Sequence, residues 1–157
     1  MRGDELAPTE PVLAPVTTAA AAREHARAVA NAHWSAAAGP PRQEDLIDLL
    51  LVVSEMVTNA IRHGGGLAGF EVTPVRGGVR VAVHDHSDVV PSVTSVTSVT
   101  YGAGAPPGGH RINGYGWPLI VELARDISIG ARPSGGKTIS VFVPVRAAGR
   151  PGPDGTP

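Results

Sequence analysis

The sequence contains no cysteine, which excludes disulfides, thiolate catalysis and cysteine-ligated zinc. Charged residues make up 17% of the chain and the formal net charge is −1. Because there is no basic excess, neither a nucleic acid nor an anionic membrane is expected as a main partner. No apolar stretch approaches the roughly 18 residues of a membrane span, and the N-terminus lacks the apolar segment of a signal peptide. We therefore expect a cytoplasmic protein.

Hydrophobic residues are plentiful, at 42% of the 157 residues, and the length suits a single domain with its own core. Proline and glycine concentrate near both ends of the chain and in a few internal clusters. Segments of this composition are typical of tails and loops. We expect disordered tails at residues 1–15 and 147–157, and a folded domain over residues 16–146.

Two helices are predicted in the first half of the domain. Thr17 or Thr18 is placed to cap a helix that runs to about Ala38. A second helix is predicted from about Gln43 to Gly64, because apolar residues recur there at helical spacing. Its core stripe comprises Leu46, Leu49, Leu50, Val53, Met56, Val57 and Ala60.

The second half changes to strand periodicity, with one more helix predicted over about 116–125. Residues 86–113 have no regular period and contain Ser-Val-Thr three times in a row, which is typical of a long loop. The predicted strands are 67–75, 79–85, 127–131 and 137–145. The order of elements indicates an α/β sandwich, with one mixed or mostly antiparallel sheet and helices on one face.

Polar residues on the second predicted helix recur at intervals of four. Glu55, Asn59 and His63 therefore form one stripe, roughly opposite the core stripe. An amide oxygen is a hard donor that suits Mg²⁺, and a carboxylate can accept a proton from a hydroxyl. The alternative is an ordinary solvated polar face.

Asp85 ends a strand whose valines at 79, 81 and 83 share its face by alternation. A carboxylate there is costly to bury without a partner, and a ligand with N–H donors, such as the adenine amino group, would supply one. The alternative is an aspartate that caps the turn into the following loop.

Two glycine-rich segments are candidates for contact with phosphate. Gly114 and Gly116 precede the third predicted helix, where backbone amides and the helix N-terminus favour anions. Gly135-Gly136-Lys137-Thr138 precedes the last predicted strand. It is not a phosphate loop of the GxxxxGK[ST] type, because position 131 is alanine and a strand follows. A plain turn is the alternative for both segments.

The order of these signals resembles the GHKL (Bergerat-fold) ATPase and kinase superfamily, which includes DNA gyrase and the sensor histidine kinases. Residues 54–66, SEMVTNAIRHGGG, are similar to its N box, and residues 81–87, VAVHDHS, are similar to its G1 box. Residues 114–124, GYGWPLIVELA, are similar to its G2 box. The short, single-domain form resembles the anti-sigma-factor serine/threonine kinases of bacterial partner-switching systems.

The resemblance implies that the chain binds ATP with Mg²⁺. It implies that Asn59 ligates the metal and that Glu55 is the general base of phosphotransfer. Asp85 would bind the adenine amino group, and Thr138 would support that contact.

The resemblance also assigns the remaining nucleotide contacts. Gly114 and Gly116 would line the phosphates, with residues 88–113 as a lid over the nucleotide. Ser87 takes a glycine position of the G1 box and is placed with the nucleotide-binding residues, as is His63 at the end of the N box.

The partners implied are an antagonist protein, a sigma factor, or both, together with a second copy in a homodimer. A different hypothesis keeps the fold but not the catalysis: a nucleotide-gated module that sequesters a regulator. Two minor alternatives are His25 as a phosphoacceptor and a metal site at His84 and His86. A surface histidine explains His25 more simply, and two histidines need a third ligand.

Overall fold

A computed structural model describes residues 15–90, 99–101 and 116–149. It contains three helices and five strands in the described residues: α1 (Ala19–Ala37), α2 (Gln43–His63), β1 (Leu67–Val75), β2 (Gly78–Asp85), β3 (Val99–Tyr101), α3 (Gly116–Leu123), β4 (Arg125–Ala131) and β5 (Lys137–Pro144). The predicted helices and the hairpin of β1 and β2 are confirmed within two residues at nearly every boundary. None of the helices described is long and apolar enough to cross a membrane.

The two long helices begin and end where local chemistry predicts. The side chain of Thr18 caps α1 by accepting a hydrogen bond from the backbone N–H of Ala21 at 3.1 Å. Small residues let α1 pack closely, because Ala22, Ala26 and Ala30 are fully buried. Six residues of the predicted core stripe of α2 are buried, Leu46 packs against the core while only partly buried, and Val52, at 0% exposure, extends the stripe.

The strands form one mixed sheet in the order β1-β2-β5-β4-β3. The first three pairs are antiparallel, and β3 runs parallel to β4. The α/β sandwich with a mostly antiparallel sheet is therefore confirmed. The prediction of an unbroken loop over 86–113 is wrong at 99–101, where the last two residues of the repeat and Tyr101 form a short strand.

One face of the sheet is buried beneath the helices and the other is not. Buried residues alternate with more exposed ones along β2, β4 and β5, as a half-buried sheet requires. Its buried aliphatic residues are Val79, Val81, Val83, Ile127, Ile129, Ile139, Val141 and Val143. They join the buried faces of α1, α2 and α3 in one hydrophobic core.

An ion pair fastens the start of α2 to the end of β5. Asp45 is 5% exposed, and its Oδ2 accepts from the backbone N–H and Nε of Arg146 at 2.9 and 3.1 Å. Its Oδ1 accepts from Nη2 of the same arginine at 3.1 Å. The hydrogen bond from the Arg146 side chain outweighs burial and lowers the pKa of Asp45. Ala147 then pairs with Pro41, so the packed chain continues past the predicted boundary at residue 146.

Candidate functional site

Asp85 ends β2 on the inner face of the sheet and is 3% exposed. Oδ1 accepts a hydrogen bond from the backbone N–H of Ser87 at 3.0 Å, which is the turn-capping bond expected of an aspartate in this position. Nη1 of Arg132 donates to the Asp85 carbonyl oxygen at 3.0 Å. The carboxylate is thus held in one orientation, and turn capping uses only one of its oxygens.

The second oxygen of Asp85 faces Lys137, the first residue of β5. The distance from Lys137 Nζ to Asp85 Oδ2 is 2.8 Å, and the two side chains are 7% and 4% exposed. Nζ also lies 3.3 Å from the Ser87 carbonyl oxygen. A buried carboxylate and a buried ammonium therefore form an ion pair at the end of the sheet.

Thr138 lies on the opposite face of the sheet, which corrects its expected place beside Asp85. It pairs in register with His84, and its Oγ1 lies 2.6 Å from His84 Nδ1. Side chains alternate along a strand, so the residue that faces inward with Asp85 is Lys137. The sequence already indicated that Lys137 faces inward, because alternate residues of a strand share a face and Lys137 alternates with Ile139, Val141 and Val143.

Two glycines allow the chain to close around Asp85. A Cβ at Gly64, just after α2, would lie 2.5 Å from Asp85 Oδ2. Gly136 has φ +80°, and a Cβ there would overlap the Asp85 carbonyl oxygen. The Gly64 carbonyl also accepts from the backbone N–H of His86 at 2.9 Å. The C-terminal end of α2 is thereby joined to the C-terminal end of β2.

Glu55 and Asn59 lie on α2, one turn apart and both half-buried. No salt bridge within the described residues involves Glu55. Nδ2 of Asn59 is buried and has no hydrogen-bond partner among the described residues. A buried donor left unpaired costs about 1–3 kcal/mol, and a ligand that accepted a hydrogen bond from this amide would remove that cost.

The other predicted contacts divide between described and undescribed residues. Gly116 begins α3, whereas Gly114 and most of the predicted lid lie outside the described residues. Trp117, the next residue of α3, is buried in the core at 5% exposure, and its Nε1 has no hydrogen-bond partner in the part of the chain that the structure describes. His63 is exposed at the end of α2. The Ser87 hydroxyl accepts from the backbone N–H of Val89 at 3.2 Å and so shapes the turn after β2.

A family model described as histidine kinase-like ATPase domain matches residues 16–142. The chain belongs to this family. No curated protein and no solved structure gives a significant match. The histidine kinase-like ATPase fold agrees with the observed sandwich, and the resemblance to the GHKL superfamily is confirmed. Because the chain belongs to the histidine kinase-like ATPase family, it is an ATP-binding domain with a regulatory function.

A magnesium ion accompanying ATP would fit the residues of this ATPase domain. Asn59 has a side-chain amide that makes no bond within the described residues, and amide oxygen is a hard ligand of the kind that Mg²⁺ prefers. The amide orientation in a structure is an assignment, so the oxygen of the same group is equally placed to face a cation. Glu55, one turn earlier, adds negative charge nearby.

The minor alternatives receive no support from the geometry. His25 packs edge-on against Phe70, with ring centroids 6.1 Å apart. His84 is bonded to Thr138 and, through Nε2, to Glu71 Oε2 at 2.9 Å. Across the described ranges, no three histidine, aspartate or glutamate side chains group as a metal site.

Proposed function

We propose that this ATPase domain is a serine/threonine protein kinase that transfers the γ-phosphate of ATP to an antagonist protein in a partner-switching system. The supporting observation is the course of α2, which carries Glu55 and Asn59 on one half-buried stripe and ends at Gly64 against Asp85. Gly64 is nine positions after Glu55, which corresponds to about 13 Å along the helix axis. That is the order of length of an extended nucleoside triphosphate.

The two ends of this span have different chemistry. At the Gly64 end, the Asp85 carboxylate accepts a hydrogen bond from the amino group of adenine. Asn59, which lies on α2 between Glu55 and Gly64, would hold Mg²⁺ through its amide oxygen. The ion, when bound, neutralises negative charge on the phosphates. The backbone at the start of α3, with Gly116, faces the phosphates through the positive end of the helix.

Glu55 is proposed as the general base, because a serine or threonine hydroxyl is a weak nucleophile until its proton is removed. The hydroxyl oxygen forms a bond to the γ-phosphorus while the bond from that phosphorus to the β–γ bridging oxygen breaks. The hydroxyl proton passes to the Glu55 carboxylate, and ADP leaves. Glu55 has no described ion-pair partner that would compete for this role.

Phosphorylation of the antagonist then determines which partner the kinase holds, the antagonist or a sigma factor. We further propose that the kinase is a homodimer. Exposed alanines along α1, including Ala20, Ala21 and Ala28, provide a smooth surface on which a second copy can pack.

The test is transfer of radiolabelled phosphate from ATP to a purified antagonist protein encoded beside this chain. Glu55→Ala is expected to keep its affinity for ATP while transfer falls about 10²- to 10⁴-fold, the usual share of general acid–base catalysis. Glu44→Ala is the matched control, since Glu44 is an exposed glutamate in the first turn of the same helix. It is expected to transfer phosphate at the wild-type rate.

Two results would contradict the kinase proposal. Normal transfer by Glu55→Ala would place the base elsewhere. Binding of ATP without transfer to any antagonist encoded nearby would favour the other hypothesis, a nucleotide-gated module that sequesters a sigma factor or another regulator.

A further inference from the structure

Lys137 is the only lysine in the chain; the other twelve of its thirteen Lys and Arg residues are arginine. It is 6% exposed, and lysine is almost never buried unless it is paired. Taking both charges of a pair out of water costs so much that an apolar pair of similar volume is often as stable or more so. The fold alone therefore gives little reason for a lysine opposite Asp85.

The ion pair of Asp85 and Lys137 retains hydrogen-bonding capacity after its internal bonds are counted. A carboxylate has about four acceptor positions, and the described residues use two of them, through Ser87 N–H and Lys137. An ammonium has three N–H donors, and the described residues use two of them, at Asp85 Oδ2 and at the Ser87 carbonyl oxygen. The pair thus presents an acceptor beside a donor, with 2.8 Å between the two atoms.

Adenine carries the complementary arrangement on the edge of its six-membered ring. Its amino group is a donor, and the adjacent ring nitrogen N1 is an acceptor. We propose that Lys137 is a specificity-determining residue of the base pocket, whose ammonium donates to N1 while Asp85 accepts from the amino group. This inference rests on the proposed function, which places the base at Asp85.

The surroundings hold both groups in place for this role. Arg132 bonds the Asp85 carbonyl oxygen, the Gly136 backbone lies close against the same carbonyl, and the Gly64 backbone lies close against the carboxylate. Lys137 follows Gly136 directly, and the backbone N–H of Gly136 donates to Asp88 Oδ1 at 2.9 Å. The turn that delivers the ammonium is therefore bonded to the turn that carries the carboxylate.

The test compares ATP with 1-deaza-ATP, in which a C–H replaces N1, on the wild type and on Lys137→Met. For the wild type, loss of N1 is expected to weaken binding about 10- to 150-fold, the range for a hydrogen bond to a charged group. Lys137→Met is expected to bind ATP more weakly by a similar factor and to discriminate little between the two nucleotides. The ligand control is 7-deaza-ATP, which keeps the amino group and N1. The matched variant is Ser140→Ala, on the outer face of the same strand.

Equal loss on removal of N1 in the wild type and in Lys137→Met would overturn the inference, as would unchanged or tighter ATP binding by Lys137→Met. If the wild type binds ATP, the proposed function stands, whether or not the inference about Lys137 is overturned. Wild type that binds no adenine nucleotide refutes the base site and the inference together.

A second measurement does not depend on the variant folding. Isotope-labelled lysine incorporated into the wild type gives a single residue's side-chain NMR signals, because Lys137 is the only lysine. These signals are expected to shift on saturation with Mg·ATP and with Mg·7-deaza-ATP, and clearly less with Mg·1-deaza-ATP. Equal shifts with all three nucleotides would contradict a contact between the ammonium and N1.

Discussion

Asp85→Asn is expected to destabilise the fold as well as the binding site. The substitution keeps the size of the side chain and an oxygen for the N–H of Ser87, but it removes the negative charge 2.8 Å from Lys137 Nζ. Breaking a buried pair by removing one partner costs about 3–5 kcal/mol, because the remaining charge stays buried without compensation. Lys137 keeps the Ser87 carbonyl oxygen as a partner, so we expect the lower end, about 3 kcal/mol.

Urea unfolding followed by tryptophan fluorescence measures this loss directly. The two tryptophans, Trp34 and Trp117, are 7% and 5% exposed, so both report on the packed core. With a slope of about 1–3 kcal/mol per molar urea for small proteins, a loss of about 3 kcal/mol lowers the midpoint by about 1–3 M.

The double variant Asp85→Asn, Lys137→Met separates the cost of an unpaired charge from other effects. It removes both charges and is expected to recover most of the lost stability. A loss under about 1 kcal/mol for Asp85→Asn would refute the reasoning, because it would mean that the pair is not buried in solution. A double variant less stable than the single one would refute it too.

Three further predictions concern the rest of the molecule. Asp45→Ala is expected to lower the free energy of unfolding by about 1.5–3 kcal/mol at pH 7, since the hydrogen bonds of Asp45 to Arg146 disappear. Glu44→Ala, in the same turn of α2, is the control variant. Because the pKa of Asp45 is lowered in the fold, the stability that Asp45 contributes is present above its ordinary pKa of 3.8 and is lost as the pH falls below that value. Urea unfolding should therefore show a smaller difference in stability between the wild type and Asp45→Ala at acid pH. Thr138→Val is expected to leave the calorimetric affinity for ATP unchanged, because Thr138 bonds His84 on the outer face; a large loss would contradict the observed register. Light scattering at micromolar concentration is expected to show a dimer, and a single 16.0 kDa species would remove that proposal.

The sequence predicted most of the elements because their periods are long and clear. The stripe of Glu55 and Asn59 could be placed on α2 because twenty-one residues keep helical spacing around it. Asp85 could be placed on the inner face because the valines before it alternate strictly. The position of β3 could not be predicted, since two of its three residues, Val99 and Thr100, end a repeat of period three that carries no strand signal.

The residue observed beside Asp85 is Lys137, whereas the resemblance assigned a supporting role in the adenine contact to Thr138, one residue later. The alternation of β5 places Lys137, and not Thr138, on the inner face of the sheet. Burying a lysine costs free energy unless the ammonium is paired, so a buried lysine is not expected from a sequence that does not show its partner. The contacts of Gly64 and Arg132 with Asp85 join segments far apart in the chain, and no local pattern indicates them.

Isothermal titration calorimetry of the wild type with Mg·ATP tests the central claim, that this domain binds ATP with the base at Asp85. We predict saturable heat for the wild type and an affinity about 10- to 150-fold weaker for Asp85→Asn, measured where fluorescence shows the variant folded. The absence of binding heat and of any thermal shift at millimolar ATP would contradict the account, as would equal affinity for wild type and Asp85→Asn.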